Sequence, residues 1–265
     1  MLGSKAQRGM TQMALDVLFK SLSTTVKSPE DLSNPSLIAS LGISDPSEAQ
    51  IFSAKTYLEA LFGDGQSERG RTSRAQTPMA QSRSQTPMPD LFPFPSLPRR
   101  PMLRPANALP QLPDVSHLAS TVDMRSEHVV IVSMYEVYND RIFDLLSPSL
   151  VPGPGGTMTR QGGNSQKDRR RPLLFKYTEG SPDRKVVAGL KKVVCGSYDE
   201  ALMILEAGLL ERRVAGTGSN SVSSRSHGFF CLEVKKKIVN RRCTEEKWAG
   251  NTLTIVDLAG QLLQV

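Results

Sequence analysis

The segment His128–Tyr138 constrains the fold of this 265-residue chain more than any other stretch. Its sequence, HVVIVSMYEVY, begins as a continuous apolar run. A strand with one solvated face would alternate polar and apolar residues, so this run predicts a central strand that is covered on both faces. The sequence therefore predicts a mixed α/β domain, in which helices flank a central sheet.

Helical periodicity and capping boxes predict three helices for such a domain. Apolar residues recur at helical spacing over residues 10–22. A second helix is predicted to begin at the capping box Ser47–Gln50, to continue through Ile51 and to end before Gly63. The capping box Ser197–Glu200 predicts the start of a third helix.

Two alternating segments near the end of the chain predict further strands. They read GFFCLEVKKKIV over residues 228–239 and NTLTIVD over residues 251–257. The polar segment RRCTEEKWAG lies between them and would let the two strands pair in antiparallel fashion.

Two other stretches have a composition that predicts disorder. Residues 66–113 hold ten of the eighteen prolines and a surplus of five positive charges, and residues 147–172 carry a surplus of four. Such segments bury too little apolar surface to offset the entropy of ordering. We therefore expect one domain over residues 1–265, with a disordered Pro/Ser/Arg-rich insertion at 64–125 and a disordered Gly/Pro/Arg-rich insertion at 147–172.

Charge and cysteine usage narrow the class of protein. The net charge of +7 comes from the insertions, since the rest of the chain carries close to −2. No aromatic platform accompanies the arginines, which argues against nucleic-acid binding. The three cysteines form no CxxC pair, and this indicates reduced thiols in an intracellular protein. The sequence shows neither a signal peptide nor a run of about 18 apolar residues, so we expect no membrane partner.

Asp257 is the first candidate site residue. The apolar strand LTIV delivers it to a strand end just before Leu258-Ala259-Gly260. Ligands of open α/β sheets bind at such edges, and a carboxylate there can hold Mg²⁺ against a nucleotide phosphate. The alternative is that Asp257 caps a following helix.

The segment NSVSSRSH, residues 220–227, is the second candidate. Its hydroxyl groups could bind phosphate oxygens or Mg²⁺, and Arg225 could hold an anion in a planar fork. A solvated serine-rich loop is the alternative. The interleaving of Arg225 and His227 with serines, directly before a strand, favours a site.

Several motifs of this chain resemble those of the kinesin motor domain, in the same order. NSVSSRSH resembles switch I, and VDLAG at 256–260 resembles switch II. SMYEVYNDRIFDLLSP at 133–148 resembles the family's S-x-x-E-x-Y-N-E-x-I-x-D-L-L, with Asp140 in place of the usual glutamate. The pattern G…RxxxTxxN over 208–220 resembles the family's lead-in to switch I.

The resemblance implies an incomplete kinesin-type P-loop NTPase fold that uses ATP and Mg²⁺ and acts on microtubules. Ser223 and Ser226 would help to coordinate Mg²⁺ and the attacking water, Asp257 would support the ion through its water, and Gly260 would sense the γ-phosphate. The implied catalytic residues are Ser223, Arg225, Ser226 and Gly260. The implied nucleotide-binding residues are Asn220, Ser223, Ser224, Ser226, Asp257 and Gly260, with Ser226 and Asp257 at the metal.

The chain departs from the family pattern at two places. It contains no GxxxxGK[ST] motif, and MALDVLF at 13–19 resembles the helix that follows the family's phosphate-binding loop. Gln261 and Leu262 stand where the family has Ser-Glu, so the expected glutamate partner of Arg225 is missing. We expect the chain to be the middle of a motor domain that is inactive alone.

Two functions remain open at this point. The chain is part of an ATP-dependent microtubule motor, or it is a non-catalytic protein that binds tubulin or another partner on a degenerate kinesin scaffold. The first implies a cytoplasmic location on microtubules or the spindle, and Arg169–Arg171 leave nuclear import open. The long insertions resemble those of the cytokinesis-associated mitotic kinesins. Thr77 and Thr86 fit proline-directed phosphorylation or a plain linker, and the oligomeric state is not specified by the sequence.

Overall fold

The structure is a computed structural model, and it describes residues 3, 6–30, 36–62, 110–147, 172–178, 181–215, 226–238 and 247–259. The helices are α1 (Met10–Leu22), α2 (Leu37–Ile43), α3 (Ala54–Phe62) and α4 (Tyr198–Ala215). The strands are β1 (Gln50–Ser53), β2 (His128–Tyr138), β3 (Arg141–Asp144), β4 (Phe175–Thr178), β5 (Ser181–Val187), β6 (Lys191–Cys195), β7 (His227–Ile238) and β8 (Lys247–Asp257).

The main sheet has the order β1-β6-β2-β7-β8, and β3 pairs with β2 off this path. Strand β1 runs parallel to β6, whereas β2 is antiparallel to both β6 and β7. Strands β4 and β5 form a separate two-stranded antiparallel sheet. The predicted mixed sheet is therefore confirmed.

Strand β2 occupies the centre of the sheet, as its apolar run predicts. Its residues from Val129 to Val132 are 0% exposed. On one face Val132 and Met134 join the core that includes residues of α1, α3 and α4. On the other face Val129 and Ile131 pack in a core with Leu37 and Leu41 of α2. Burial of each such side chain is worth about 1.5–3 kcal/mol, so the continuous apolar run stabilises both layers at once.

Two of the three predicted helices are confirmed, and the second of them has its predicted cap at Ser197. Helix α1 covers residues 10–22, and the Gln12 side chain accepts a hydrogen bond from the Gly9 N–H at 3.0 Å. Ser197 Oγ accepts a hydrogen bond from the Glu200 N–H at 3.2 Å and so caps α4. Glu200 reaches back to the Gly196 N–H at 2.7 Å, one residue before the position that a standard capping box uses.

The predicted helix start at Ser47 is wrong. Residues Gln50–Ser53 instead form β1, which pairs in parallel with β6, and the helix begins only at Ala54. Ser53 Oγ accepts a hydrogen bond from the Thr56 N–H at 3.1 Å and caps the helix in place of Ser47. Pairing with a distant strand outweighs the local helical pattern around Ile51, because it satisfies the backbone of β1 in the sheet.

The predicted antiparallel pairing of the last two strands is confirmed. Strands β7 and β8 pair from Gly228↔Asp257 at one end to Ile238↔Lys247 at the other. This register places the first residues of β7 beside the last residues of β8. The segments that contain Ser226 and Asp257 therefore meet at one edge of the sheet.

Most of the two predicted insertions, residues 64–109 and 148–171, lies outside the described residues. Residues 110–125 are described and include a short 3-10 helix, Ser116–Leu118. None of the helices within the described ranges has the length and hydropathy needed to span a bilayer.

Candidate functional site

Four side chains converge where β7 begins and β8 ends. Glu136 comes from β2, Arg212 from α4 and Asp257 from the end of β8, while Ser226 directly precedes β7. We call these four residues the bridge cluster. Hydrogen bonds and ion pairs connect all of them.

Glu136 and Ser226 form the buried end of the bridge cluster. Both residues are 0% exposed, and Ser226 Oγ donates a hydrogen bond to Glu136 Oε2 at 3.1 Å. Arg212 Nε lies 3.8 Å from the same carboxylate oxygen. A buried carboxylate is costly unless it is paired, so the nearby guanidinium and the hydroxyl stabilise Glu136 inside the sheet.

Arg212 connects the two strand ends directly. Its Nη1 donates to Asp257 Oδ2 at 2.7 Å, and its Nη2 donates to the Ser226 backbone carbonyl at 2.7 Å. The planar guanidinium presents several donors in a fixed geometry, which lets one side chain hold two partners at once. The Arg212 side chain is 8% exposed, whereas that of Asp257 is 42% exposed. The Asp257 carboxylate therefore faces both the protein and the solvent.

Gly228 makes room for this arrangement. A Cβ atom at Gly228 would lie 2.6 Å from Arg212 Nη1 and 2.8 Å from Arg212 Cζ. The flat guanidinium thus lies directly over the backbone of β7. A side chain at this position would push Arg212 away from Asp257 or force the strand to shift.

A second contact joins the same two segments through His227 and Ala259. His227 Nδ1 accepts a hydrogen bond from the Ala259 N–H at 3.1 Å. This contact requires the neutral tautomer in which Nε2 carries the proton. The start of β7 is therefore connected to the end of β8 at two positions, Asp257 and Ala259.

A small cleft opens beside the bridge cluster. Its lining includes Thr11 of α1, Leu209 and Arg212 of α4, Phe229 of β7 and Asp257 of β8. The start of α1 and the end of β8 therefore line the same cleft. In the described part of the chain, no group of three His, Cys, Asp or Glu side chains could hold a metal ion by itself.

The structure describes two of the predicted site residues. Ser226 and Asp257 are brought to the same edge, where Arg212 links the carbonyl of one to the carboxylate of the other. The remaining predicted site residues lie outside the described residues: Asn220, Ser223, Ser224, Arg225 and Gly260.

Arg212 and Glu136 are functional candidates that the sequence analysis missed. Glu136 lies within the matched motif at 133–148 but is not among the predicted site residues, and the lead-in motif includes the arginine that follows Arg212. A usable signal was present, because Arg212 lies seven residues after the buried Leu205 and so continues the inward face of the helix. An arginine on such a face requires a buried acidic partner.

The donor set fits part of a Mg²⁺–nucleotide site. Asp257 offers a half-exposed carboxylate to a hydrated cation, and Arg212 fixes its orientation. The Ser226 hydroxyl is committed to Glu136 in this arrangement, so metal binding by Ser226 would require that bond to break.

Comparison with known proteins identifies similar chains. The family model described as the kinesin motor domain matches residues 1–262. Kinesin-like motor protein 9 of Schizosaccharomyces pombe is 33% identical over 146 residues, which are 55% of this chain and 20% of that protein. Kinesin heavy chain of Caenorhabditis elegans is 32% identical over 147 residues, which are 56% of this chain and 15% of that protein. A solved structure described as kinesin 6 is similar over 53% of this chain and 35% of its own, with 22% identity and a TM-score of 0.38. The match spans a fifth or less of the length of these two curated relatives.

Proposed function

This chain belongs to the kinesin motor domain family, and from that premise we propose that it is the switch-bearing part of an ATP-dependent microtubule motor. In this proposal the bridge cluster couples switch I, which ends at His227, to switch II, which contains Asp257. The observation that carries the proposal is the double contact of Arg212, to the Ser226 carbonyl and to the Asp257 carboxylate.

The coupling has a simple electrostatic basis. Asp257 is partly exposed and can respond to a charge in the cleft, whereas Ser226 and Glu136 are fully buried. When bound, ATP with Mg²⁺ would supply a phosphate group whose hydrolysis changes the charge next to Asp257. A change in the strength of the Arg212–Asp257 ion pair would then weaken or strengthen the hydrogen bond from Arg212 to the Ser226 carbonyl, just before β7. Such coupled loop rearrangements are a known form of nucleotide switch.

The proposed roles of the individual residues follow from this arrangement. Asp257 supports the Mg²⁺ ion through its coordination water, and Gly260 follows the γ-phosphate. Asn220, Ser223, Ser224 and Arg225 contact the nucleotide from switch I. Ser226 fixes the end of switch I through its hydrogen bond to Glu136. Its hydroxyl can bind the metal only after this hydrogen bond breaks.

We also propose that this chain, by itself, does not turn over ATP. Its 265 residues contain no GxxxxGK[ST] motif, whose backbone N–H groups and lysine supply most contacts to the β- and γ-phosphates in P-loop enzymes. One aspartate and a serine-rich loop provide too few donors to replace them. The absence of this motif also favours the second candidate function, a non-catalytic protein that binds tubulin.

Microtubule co-sedimentation and ATP turnover, measured on one preparation of the purified chain, test the proposal. We expect the chain to pellet with microtubules and to hydrolyse no ATP above a protein-free control. Failure to pellet would contradict a microtubule function of either kind.

Variants then separate the two candidates. ATP turnover that microtubules stimulate and Arg212→Ala abolishes would show an active motor and refute the proposed inactivity. Lys236→Ala, which changes an exposed lysine of β7 far from the bridge cluster, is the matched control. Pelleting that is insensitive to ATP and to Arg212→Ala would favour the non-catalytic protein.

A further inference from the structure

Residues 111–120, in the last part of the predicted Pro/Ser/Arg-rich insertion, lie along helix α1. The Arg8 N–H, just before the helix, donates to the Leu112 carbonyl at 2.7 Å. In the last turn of the helix, Ser21 Oγ accepts a hydrogen bond from the Ser120 N–H at 3.0 Å. The segment therefore follows α1 from its start to its end, and we call residues 111–120 the strap.

Arg8 makes most of the contacts at the first end of the strap. Its side chain is only 4% exposed, and its Nη2 lies 2.8 Å from Asp16 Oδ2. Nη1 donates to the carbonyl oxygens of Gln111 and Pro113, each at 3.5 Å, and Nη2 donates to the Tyr198 hydroxyl at 3.5 Å. One planar guanidinium thus joins the strap to α1 and to the start of α4.

Lys20 holds the strap further along the helix. Its Nζ donates to Ser116 Oγ at 2.6 Å and to Asp16 Oδ2 at 3.0 Å. Asp114 Oδ1 accepts hydrogen bonds from the Ser116 N–H at 2.9 Å and from its hydroxyl at 2.6 Å, which fixes that hydroxyl beside Lys20. Asp16 is shared by Arg8 and Lys20, so a single carboxylate connects the two contacts.

The strap and the core hold α1 with different strengths. Leu15 is 0% exposed and anchors the inner face of the helix in the core. On the outer face, the Lys20 and Asp114 side chains are 42% and 69% exposed. Exposed ion pairs contribute little stability, so the strap can leave α1 while the core stays folded.

The start of α1 is the part of the helix that reaches the candidate site. Thr11, in the first turn, lines the same cleft as Arg212 and Asp257. Arg8 directly precedes Gly9, the residue that caps this helix. A shift of Arg8 therefore reaches the wall of the cleft within one helical turn.

We propose that the strap positions the start of α1, and that its release loosens the wall of the cleft beside Asp257. The end of the insertion is then a regulatory element, since anything that pulls residues 111–120 off the helix acts on this cleft. The consequence for a nucleotide rests on the proposed function, whereas the coupling between strap and helix is a property of the fold.

Hydrogen exchange of the full chain, measured without nucleotide or microtubules, tests the coupling. Asp114→Ala combined with Ser116→Ala removes the strap's side-chain contacts with Lys20 and leaves every residue of α1 unchanged. The amides of Arg8 and of Met13, which donates to the Gly9 carbonyl at 3.0 Å, should then exchange about fivefold faster, as expected for the loss of one or two partly exposed hydrogen bonds.

Two controls show whether the effect is local. Ser120→Ala lies in the same strap and retains the backbone N–H that contacts Ser21, so it should exchange like the parent chain. The Ser40 amide donates to the Ser36 carbonyl in the first turn of α2, on the opposite face of the sheet, and should not change in either variant.

Arg8→Lys tests the same coupling from the other side of the contact. Lysine keeps a positive charge for Asp16 but cannot hold both strap carbonyls at once, so the Met13 amide should again exchange faster. Far-UV circular dichroism checks that each variant is folded.

Three results would overturn the proposal: an unchanged Met13 amide in the double variant, an equal increase at Ser40, or the same effect from Ser120→Ala. None of them depends on ATP turnover or on pelleting with microtubules. Failure of the proposed function would therefore leave the coupling standing, and loss of the coupling would leave the proposed function open.

Discussion

Arg212 and Asp257 form a hydrogen-bonded ion pair of 2.7 Å although 45 residues separate them in the chain. The pair joins the inward face of α4 to the end of β8. Through its other terminal nitrogen, Arg212 holds the backbone just before β7. One side chain therefore fixes the relative positions of the two segments that resemble the family's switches.

Replacement of Arg212 should destabilise the protein strongly. Arg212→Ala takes a positive charge away from the fully buried Glu136 and leaves that carboxylate less compensated. Removal of one partner from a buried pair typically costs about 3–5 kcal/mol, and we expect the lower end of that range. Urea unfolding followed by circular dichroism measures the change. Lys236→Ala should stay within about 0.5 kcal/mol of the parent, and an equal effect of the two variants would argue against the bridge.

Gly228→Ala should destabilise the protein by displacing the Arg212 guanidinium. The added methyl group would lie 2.6 Å from Arg212 Nη1, so the guanidinium must move. We expect a loss of about 1–3 kcal/mol in the free energy of unfolding, in the range of other overpacked sites.

Gly42→Ala is the control for the glycine substitution. A Cβ at Gly42, within α2, would meet no heavy atom within 4 Å. Alanine there should stabilise the protein by about 0.4–1 kcal/mol, since it restricts the unfolded chain. If Gly228→Ala behaved like Gly42→Ala, the close approach of Arg212 to β7 would be wrong.

A buried ion network on the other face of the sheet should govern the response to acid. Burial by itself would raise the pKa of Asp45, but the Lys192 ammonium and hydrogen bonds from Ser47 outweigh it and lower that pKa below its ordinary value. Lys192 also pairs with Glu233 on β7. The network therefore ties the segment before β1 to β6 and β7.

The sign of the pH effect follows from the lowered pKa. Stability from ionised Asp45 is fully present above its unfolded pKa of about 3.9 and is lost as the pH falls through the lower folded value. We expect Asp45→Asn to flatten the acid limb of a plot of unfolding free energy against pH. Lys192→Met should destabilise the protein by about 3–5 kcal/mol at neutral pH, because it leaves Asp45 buried without its main partner. An acid limb that Asp45→Asn leaves unchanged would contradict this account.

Sequence patterns predicted the elements whose signals are local. The predicted capping box at the start of α4 involves residues within four positions of each other, and the continuous apolar run of β2 indicates burial on both faces. The helix predicted between Ser47 and Gly63 is present only from Ala54, because Gln50–Ser53 form β1 through pairing with β6, about 140 residues away in the chain.

The bridge cluster was only partly predictable, because its contacts join residues that lie far apart in the chain. Ser226 and Asp257 belong to motifs that can be read along the chain. Their link through Arg212, and the burial of Glu136 90 residues before Ser226, depend on the packing of α4 against the sheet. A buried arginine on a helix face indicates an acidic partner, but the sequence does not indicate which one.

The central claim is that Arg212 holds the start of β7 to the end of β8, and local hydrogen exchange tests it most directly. Arg212→Lys keeps the charge but loses the planar fork, so it should loosen this joint with little global unfolding. The Ala259 amide, which donates to His227, should then exchange faster by about tenfold, corresponding to about 1.4 kcal/mol of lost local stability. The amide of Lys237, near the far end of β7, donates to the Glu127 carbonyl at 3.0 Å and should exchange as in the parent chain. Unchanged exchange at Ala259, or an equal increase at both ends, would contradict the claim.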